Sequence, residues 1–442
     1  MRRLSGDPRR RIGVLQLVVL TGLMLVVIAA SFGAGVWAAP YVRAQVLPAP
    51  APPADLDRQF APFWQAWNLV EQHFVYRDAI DRQKMTYGAI QGMLSSLDDE
   101  GHTRFLSPAE LKLEESNLQG QFEGIGAEVT TRNGRPTIVA PIEGSPAERA
   151  GLRSGDVVVR VDGADVSDLT LTELVSRIRG PKGSTVRLDV IHPGQAVVSQ
   201  LAIVREEIKV QMVTWAMVPG TTVAHVRIGQ FGSRADSELR QALGEARGAG
   251  ATGLVLDVRN NPGGLLEQAV AVASEFQDHG IVLWQEDREG RRKPFQVRRG
   301  GAAVDLPMVV LANEGSASAA EIFAGAMQDN GRAVVVGART FGTGTVLSSF
   351  PLDDGSAVLL GTAQWLTPSG RAIRKQGIRP DVEVQLPASA ELLSPRAERS
   401  LSAGEVRQSG DAQLLRSLEL VQAGRTVPAV TLRGRTSLAY AY

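Results

Sequence analysis

Residues 313–346 read NEGSASAAEIFAGAMQDNGRAVVVGARTFGTGTV, and their reading decides the fold. The preceding run, MVVLA at 308–312, has the composition of a buried strand. Asn313, Glu314 and Gly315 make a turn, small residues follow through Ala320, and a helical pattern over 321–328 carries Ile322, Phe323, Ala326 and Met327. Strand, tight small-residue turn and helix together hold a serine where backbone N–H groups converge on its reaction partner. Small residues also let a helix pack closely on a sheet, and composition alone does not separate the two readings.

Three pieces within this stretch stand in register: SASAAEI at 316–322, QDNGRA at 328–333 and TFGTGTV at 340–346. The stretch resembles the active-site segment of the carboxy-terminal processing (tail-specific) peptidases, serine peptidases with a built-in PDZ domain. The resemblance covers about residues 60–385 and implies Ser318 as nucleophile. It also implies a catalytic lysine 25 residues later, where this chain has Thr343, and a glutamine four residues beyond that, where it has Leu347.

Other segments extend the resemblance. The run LDDEGHTRFLSP at 97–108 is similar to a family loop near the active site, and Gly101-His102-Thr103 reads like the tricorn-type branch, in which such a histidine is the general base. His102 is therefore the candidate base in place of the lysine, with Asp329 or Glu321 as orienting carboxylates and the loop residue Lys375 a weaker option. A lone histidine is otherwise an ordinary surface-loop or helix-capping residue. The run DVRNNPGG at 257–264 matches the family segment that supplies an oxyanion-hole N–H, from Gly263 or Gly264, with Ala319 as the second donor. Alone, Asn-Pro-Gly-Gly would be a simple tight turn. Residues 121–204 resemble a PDZ domain. Gly124, Ile125, Gly126 and Ala127 form its peptide-binding loop, where glycines free backbone N–H groups to face a terminal carboxylate beside an open strand edge. Protein or peptide C-termini are the implied partners.

Bulk properties are consistent with this. A chain of 442 residues, 44% of them hydrophobic, can build two or three cores. Lys+Arg 47 against Asp+Glu 47 offers no basic face for nucleic acid. With Cys 0, disulfides and thiol chemistry are excluded. His73, His102, His192, His225 and His279 form no pair at metal-ligand spacing, and no metal or cofactor is expected.

Arg2, Arg3, Arg9, Arg10 and Arg11 precede an uncharged stretch at 12–42. As a helix, 12–39 spans roughly 40 Å, enough for a hydrocarbon core of about 30 Å. A signal anchor is expected, with cleavage near Ala38 or Ala44 as the alternative. The positive-inside rule then gives a single-pass cell-membrane protein whose catalytic part is extracytoplasmic. The domains expected are a basic tail and anchor (1–44), a Pro/Ala linker (45–57), a helical N-terminal region (58–117), the PDZ domain (118–205), the peptidase core (206–385) and a C-terminal extension (386–442). Aromatics of the helical region, Phe60, Phe63, Trp64, Trp67 and Phe74, are expected in a core. In the family such a segment helps form a dimer or packs beside the protease core, so a homo-oligomer is admitted.

The fold class expected is α/β: a crotonase/ClpP-like peptidase core with an inserted PDZ domain, a helical N-terminal region and an N-terminal transmembrane helix. Two functions of different class follow. The first is a membrane-anchored carboxy-terminal processing serine endopeptidase that uses a base other than lysine. The second is a catalytically dead pseudopeptidase that serves as a peptide-binding scaffold. Thr343 cannot be the base, because its hydroxyl takes no proton near neutral pH.

Overall fold

The computed structural model describes residues 56–99, 102–132, 134–142, 144–387 and 390–426. The expected membrane span and residues 45–55 of the expected linker lie outside the described residues, while Leu56 and Asp57, also assigned to the linker, already belong to the Leu56–His73 helix. Among the described residues no helix is long and apolar enough to cross a membrane. The described residues up to Arg82 and those from Gln83 onward fall into two compact units.

In the first unit the Leu56–His73 helix has no buried residue, which corrects the expectation of core aromatics. Its rings meet one another instead: Phe63 stacks edge-on to Trp64 with centroids 5.0 Å apart. Phe60, Trp64 and Phe74 stay exposed. Helical spacing of apolar residues specifies a face but does not supply the partner that buries it.

The second unit is built on a six-stranded sheet in the spatial order Val213–Met217, Val223–Ile228, Gly253–Asp257, Met308–Ala312, Val334–Gly337 and Val382–Glu383. The first pairing is antiparallel and the other four are parallel. Parallel strands are covered on both faces, so they read as continuous apolar runs. Alternate side chains take opposite sides. Leu254, Leu256, Met308, Val310 and Val335 join the core under the Ala235–Gly248, Leu266–Ser274 and Ala319–Asp329 helices. Val255, Val309, Leu311, Val334 and Val336 face the other way, onto Leu414, Leu418 and Val421 of the Ala412–Gln422 helix. The C-terminal extension therefore supplies the second covering layer of the sheet.

A second, antiparallel sheet lies beside the first. Its long Ala357–Leu366 strand pairs with Arg104–Leu106, Thr345–Pro351 and Ile281–Asp287. The insert leaves and rejoins this body through a ribbon in which Gln121–Gly124 pairs with Glu206–Lys209. Within the insert an antiparallel sheet runs in the order Ala127–Arg132, Arg135–Pro141, Val157–Val161, Thr185–Ile191 and Val198–Val204. Ile138, Val161, Leu174, Leu188 and Ile203 fill its separate core. The Leu171–Ile178 helix, started by a Thr170–Glu173 capping box, lies against the free-edged Ala127–Arg132 strand.

Candidate active site

Ser318 sits where the Met308–Ala312 strand turns into the Ala319–Asp329 helix, with φ 52° and ψ −115°. A non-glycine residue in that region is strained and persists only when its surroundings hold it. The surroundings are specific. Ser316, fully buried, donates its hydroxyl to the Val258 carbonyl at 2.8 Å. Ala317 N donates to the Asn261 carbonyl at 2.9 Å and Phe341 N to the Ser316 carbonyl at 3.0 Å.

Glu321, fully buried in the first helical turn, ties the elbow to the 340–343 loop. One carboxylate oxygen accepts from Ser318 N (3.0 Å) and Thr343 N (2.9 Å). The other accepts from the Thr340 hydroxyl (2.5 Å) and Gly342 N (2.7 Å). Burial raises its pKa, and these four donors work against that shift. Neither Glu321 nor Asp329 bonds to His102. Asp329 instead accepts from Ser369 N and the Ser369 hydroxyl at the far end of the helix.

The Asn-Pro-Gly-Gly bend lies directly against the elbow. A Cβ placed on Gly263 would lie 2.7 Å from Ser318 Cβ and 3.0 Å from Ala319 N. Both glycines have positive φ, 102° at Gly263 and 139° at Gly264, where side chains are strained. The Gly263 N–H is already taken: it donates to Asn261 Oδ1 at 2.8 Å. Asn261 in turn donates Nδ2 to the Ile228 carbonyl at 2.7 Å. Gly264 N and Ala319 N, the latter in the helix's first turn where N–H groups lack intrahelical partners, donate none of the backbone hydrogen bonds of this region.

Ser318, Gly263, Gly264 and His102 line one cleft of about 880 Å³. Its walls include Leu118, Phe122, Leu265, Val346, Leu347 and Trp365. Polar groups on an apolar lining suit a peptide-sized ligand. His102 precedes the Arg104–Leu106 strand, and its Nδ1 is buried with no hydrogen-bond partner among the described residues. Burial lowers its pKa. The charge of Asp99 opposes that shift and Arg104 adds to it. Asp99 is thus the carboxylate nearest in effect to this ring, which motif reading did not single out. Gly101 lies outside the described residues.

Thr343 is buried, bound through its N–H to Glu321, and its hydroxyl has no partner among the described residues. Lys375 is exposed and its backbone N–H bonds the Gly342 carbonyl at 2.7 Å. In the insert, Ile125 and Gly126 give their carbonyls to Ala147 N and Ile142 N, both at 2.8 Å, which fixes the loop before the open Ala127–Arg132 edge. Gly124, Ile125 and Gly126 are buried and Ala127 is half-buried. No cluster of three or more His, Asp or Glu suited to a metal ion occurs among the described residues.

The description Peptidase family S41 fits residues 222–384, and the PDZ domain family fits residues 137–191. The carboxyl-terminal-processing protease of Synechocystis sp. is 36% identical over 365 residues, covering 81% of this chain and 82% of that protein. Carboxy-terminal processing protease CtpA of Bacillus subtilis is 37% identical over 330 residues, covering 75% of this chain and 70% of that protein. A solved S41 protease of Bacteroides fragilis shares the fold, with a TM-score of 0.51 at 18% identity over 82% of this chain and 97% of that one. Together with the strained serine elbow against the glycine bend, these relatives make the chain a member of peptidase family S41, a serine protease of the carboxyl-terminal-processing kind that carries a PDZ domain.

Proposed function

We propose that this chain is an active, membrane-anchored serine endopeptidase that captures protein C-termini on its PDZ domain and cuts peptide bonds with Ser318, using His102 where relatives use lysine. The carrying observation is that Ser318, His102 and the Gly263–Gly264 bend share one cleft. In the cleavage step Ser318 Oγ forms a bond to the scissile carbonyl carbon while its proton passes to the His102 imidazole. The carbonyl oxygen becomes an oxyanion facing Ala319 N–H and Gly264 N–H. Fixed donors of this kind contribute on the order of 3 kcal/mol each. The C–N bond then breaks, and the imidazolium returns its proton to the leaving amine. Water repeats the sequence on the acyl-enzyme and frees Ser318. Burial keeps His102 below its ordinary pKa, so the ring is unprotonated and basic at neutral pH.

The basic residues and uncharged stretch at 2–42 support an anchor that leaves the catalytic part outside the cytoplasm. A second reading, a scaffold without catalysis, is favoured by one specific feature: His102 Nδ1 has no carboxylate bonded to it. A fluorophosphonate probe separates the two. It is expected to label the wild type, and labelling is expected to vanish in both Ser318→Ala and His102→Ala. Undiminished labelling of His102→Ala removes that base. A wild type that never labels or cleaves, together with activity gained in Thr343→Lys, leaves the scaffold.

A further inference from the structure

Glu398 and Asp411 carry carboxylates from the C-terminal segment into the underside of the 257–264 loop. Both are fully buried, although they lie beyond the residues that fit the S41 family. Glu398 Oε1 stands 2.7 Å from His225 Nδ1, and His225 Nε2 stands 3.2 Å from Asp257 Oδ2. Asp411 Oδ1 accepts from Arg259 Nη1 at 2.8 Å, and Arg259 grips Asp257 through Nε and Nη2 at 2.8–3.1 Å. Arg227 Nη1 adds a contact to Asp257 at 3.5 Å. His225, Asp257, Arg259, Glu398 and Asp411 are all fully buried. Buried charges are tolerated only when paired. Both nitrogens of the His225 ring face carboxylate oxygens, an arrangement that a protonated imidazole satisfies with two N–H donors, while the second Glu398 oxygen, Oε2, is buried without a hydrogen-bond partner among the described residues. Burial alone would lower the His225 pKa, but Asp257 and Glu398 together raise it to about 8.

None of the catalytic steps above uses this cluster, yet it is continuous with the loop they depend on. Asp257 Oδ1 accepts the Arg259 N–H at 2.8 Å, and the chain turns at Asn260, φ 54°, directly into Asn261. Asn261 then holds both the Gly263 N–H and the Ala317 N–H beside Ser318. We infer that Glu398 and Asp411 are positioning residues for the oxyanion loop, and that the C-terminal segment braces that loop only while His225 keeps its proton. The catalytic part of this inference rests on the peptidase reading; the brace itself does not.

The test uses the full chain with Asp411→Asn and Glu398→Gln, which keep side-chain shape and, at 411, the helix cap, while removing charge. Hydrogen–deuterium exchange in the 257–265 peptide is expected to quicken at least tenfold in each variant, with the PDZ domain unchanged. For a peptide substrate kcat per folded molecule, with the folded fraction taken from a melt at the assay temperature, is expected to fall about tenfold with KM within twofold; a drop that disappears after this normalisation is general destabilisation and overturns the positioning role. In the wild type, exchange of 257–265, corrected for intrinsic rate, should quicken as pH rises from 7 to 9, and Glu398→Gln should move that step to lower pH. Wild-type exchange rates at 257–265 in both variants overturn the inference. Should a variant fail to fold, the wild-type pH series decides, and a flat series overturns it. Exchange needs no activity, so a chain that never labels Ser318 defeats the peptidase reading without touching the brace.

Discussion

At the scale of single residues, the site depends on backbone positions that admit no substitute. Gly263→Ala would drive a Cβ to within 2.7 Å of Ser318 Cβ at φ 102°. We expect probe labelling to drop at least a hundredfold, with a thermal-melt loss of about 1–3 kcal/mol. Glu321→Gln replaces one acceptor oxygen with an NH2 that faces two existing donors. The expected cost is on the order of 2–4 kcal/mol, together with loss of labelling, and it is read by the same two measurements. The motif spacing made Ser318 and the glycine bend legible because such loops are local in sequence. It did not choose between Gly263 and Gly264: the Asn261 side chain that occupies one N–H is a matter of rotamer, not of pattern. Likewise Asp329 and Glu321 looked available to orient His102, but helix geometry turns one towards Ser369 and the other towards its own N-terminus.

At the scale of elements, the apolar run 308–312 announces the Met308–Ala312 strand, whereas the antiparallel sheet around Ala357–Leu366 was not read from the sequence, because its strands are only partly buried and the Arg104–Leu106 and Ile281–Asp287 partners lie far away along the chain. The weak point was the Leu56–His73 helix, whose apolar spacing matches that of a core helix although none of its residues is buried. Spacing encodes a stripe, and burial is decided by what packs against it. For the insert, the Gly126 loop is the element to probe. Gly126 has φ 76°, and a Cβ there would lie 2.5 Å from Ser145 Cβ. Gly126→Val is therefore expected to abolish binding of a fluorescent C-terminal peptide in an anisotropy titration, while leaving probe labelling of Ser318 within about twofold. Peptide binding at wild-type affinity would show that this loop is not the capture site.

At the scale of the whole molecule, His102 and His225 are expected to set opposite limits on activity under the proposed reading. His102, held below its ordinary pKa by burial, keeps its basic form until pH falls below that of a free imidazole, so the acid limb of kcat/KM should lie under pH 6.5. His225 has a raised folded pKa. Its contribution, on the order of 2 kcal/mol, is fully present below the unfolded value and is lost as pH rises through about 8. A thermal-melt series across pH 6–9 should show stability falling on the alkaline side, and Glu398→Gln should flatten that fall. The sequence could not announce this link, since His225 and Glu398 are 173 residues apart and family resemblance had faded before the second of them. In the C-terminal segment the helical pattern at 414–421 is legible and matches the Ala412–Gln422 helix, but that it covers the sheet is not, because the strands it packs on lie far upstream. Truncation after residue 386 would bare Val255, Val309, Leu311 and Val336, and such a chain is expected to sediment as aggregate.

The ribbon that carries the insert has an architectural consequence. Val210 N donates to the Gly120 carbonyl at 2.9 Å, so the two ends of the excursion stand one hydrogen bond apart. The intervening stretch closes around a core of its own. It has the build of a cassette: splicing out residues 125–205 with a short glycine bridge keeps the ribbon and Phe122 of the cleft wall, and is expected to leave a hydrolase without its grip on tails, at a joint suited to a foreign recognition module.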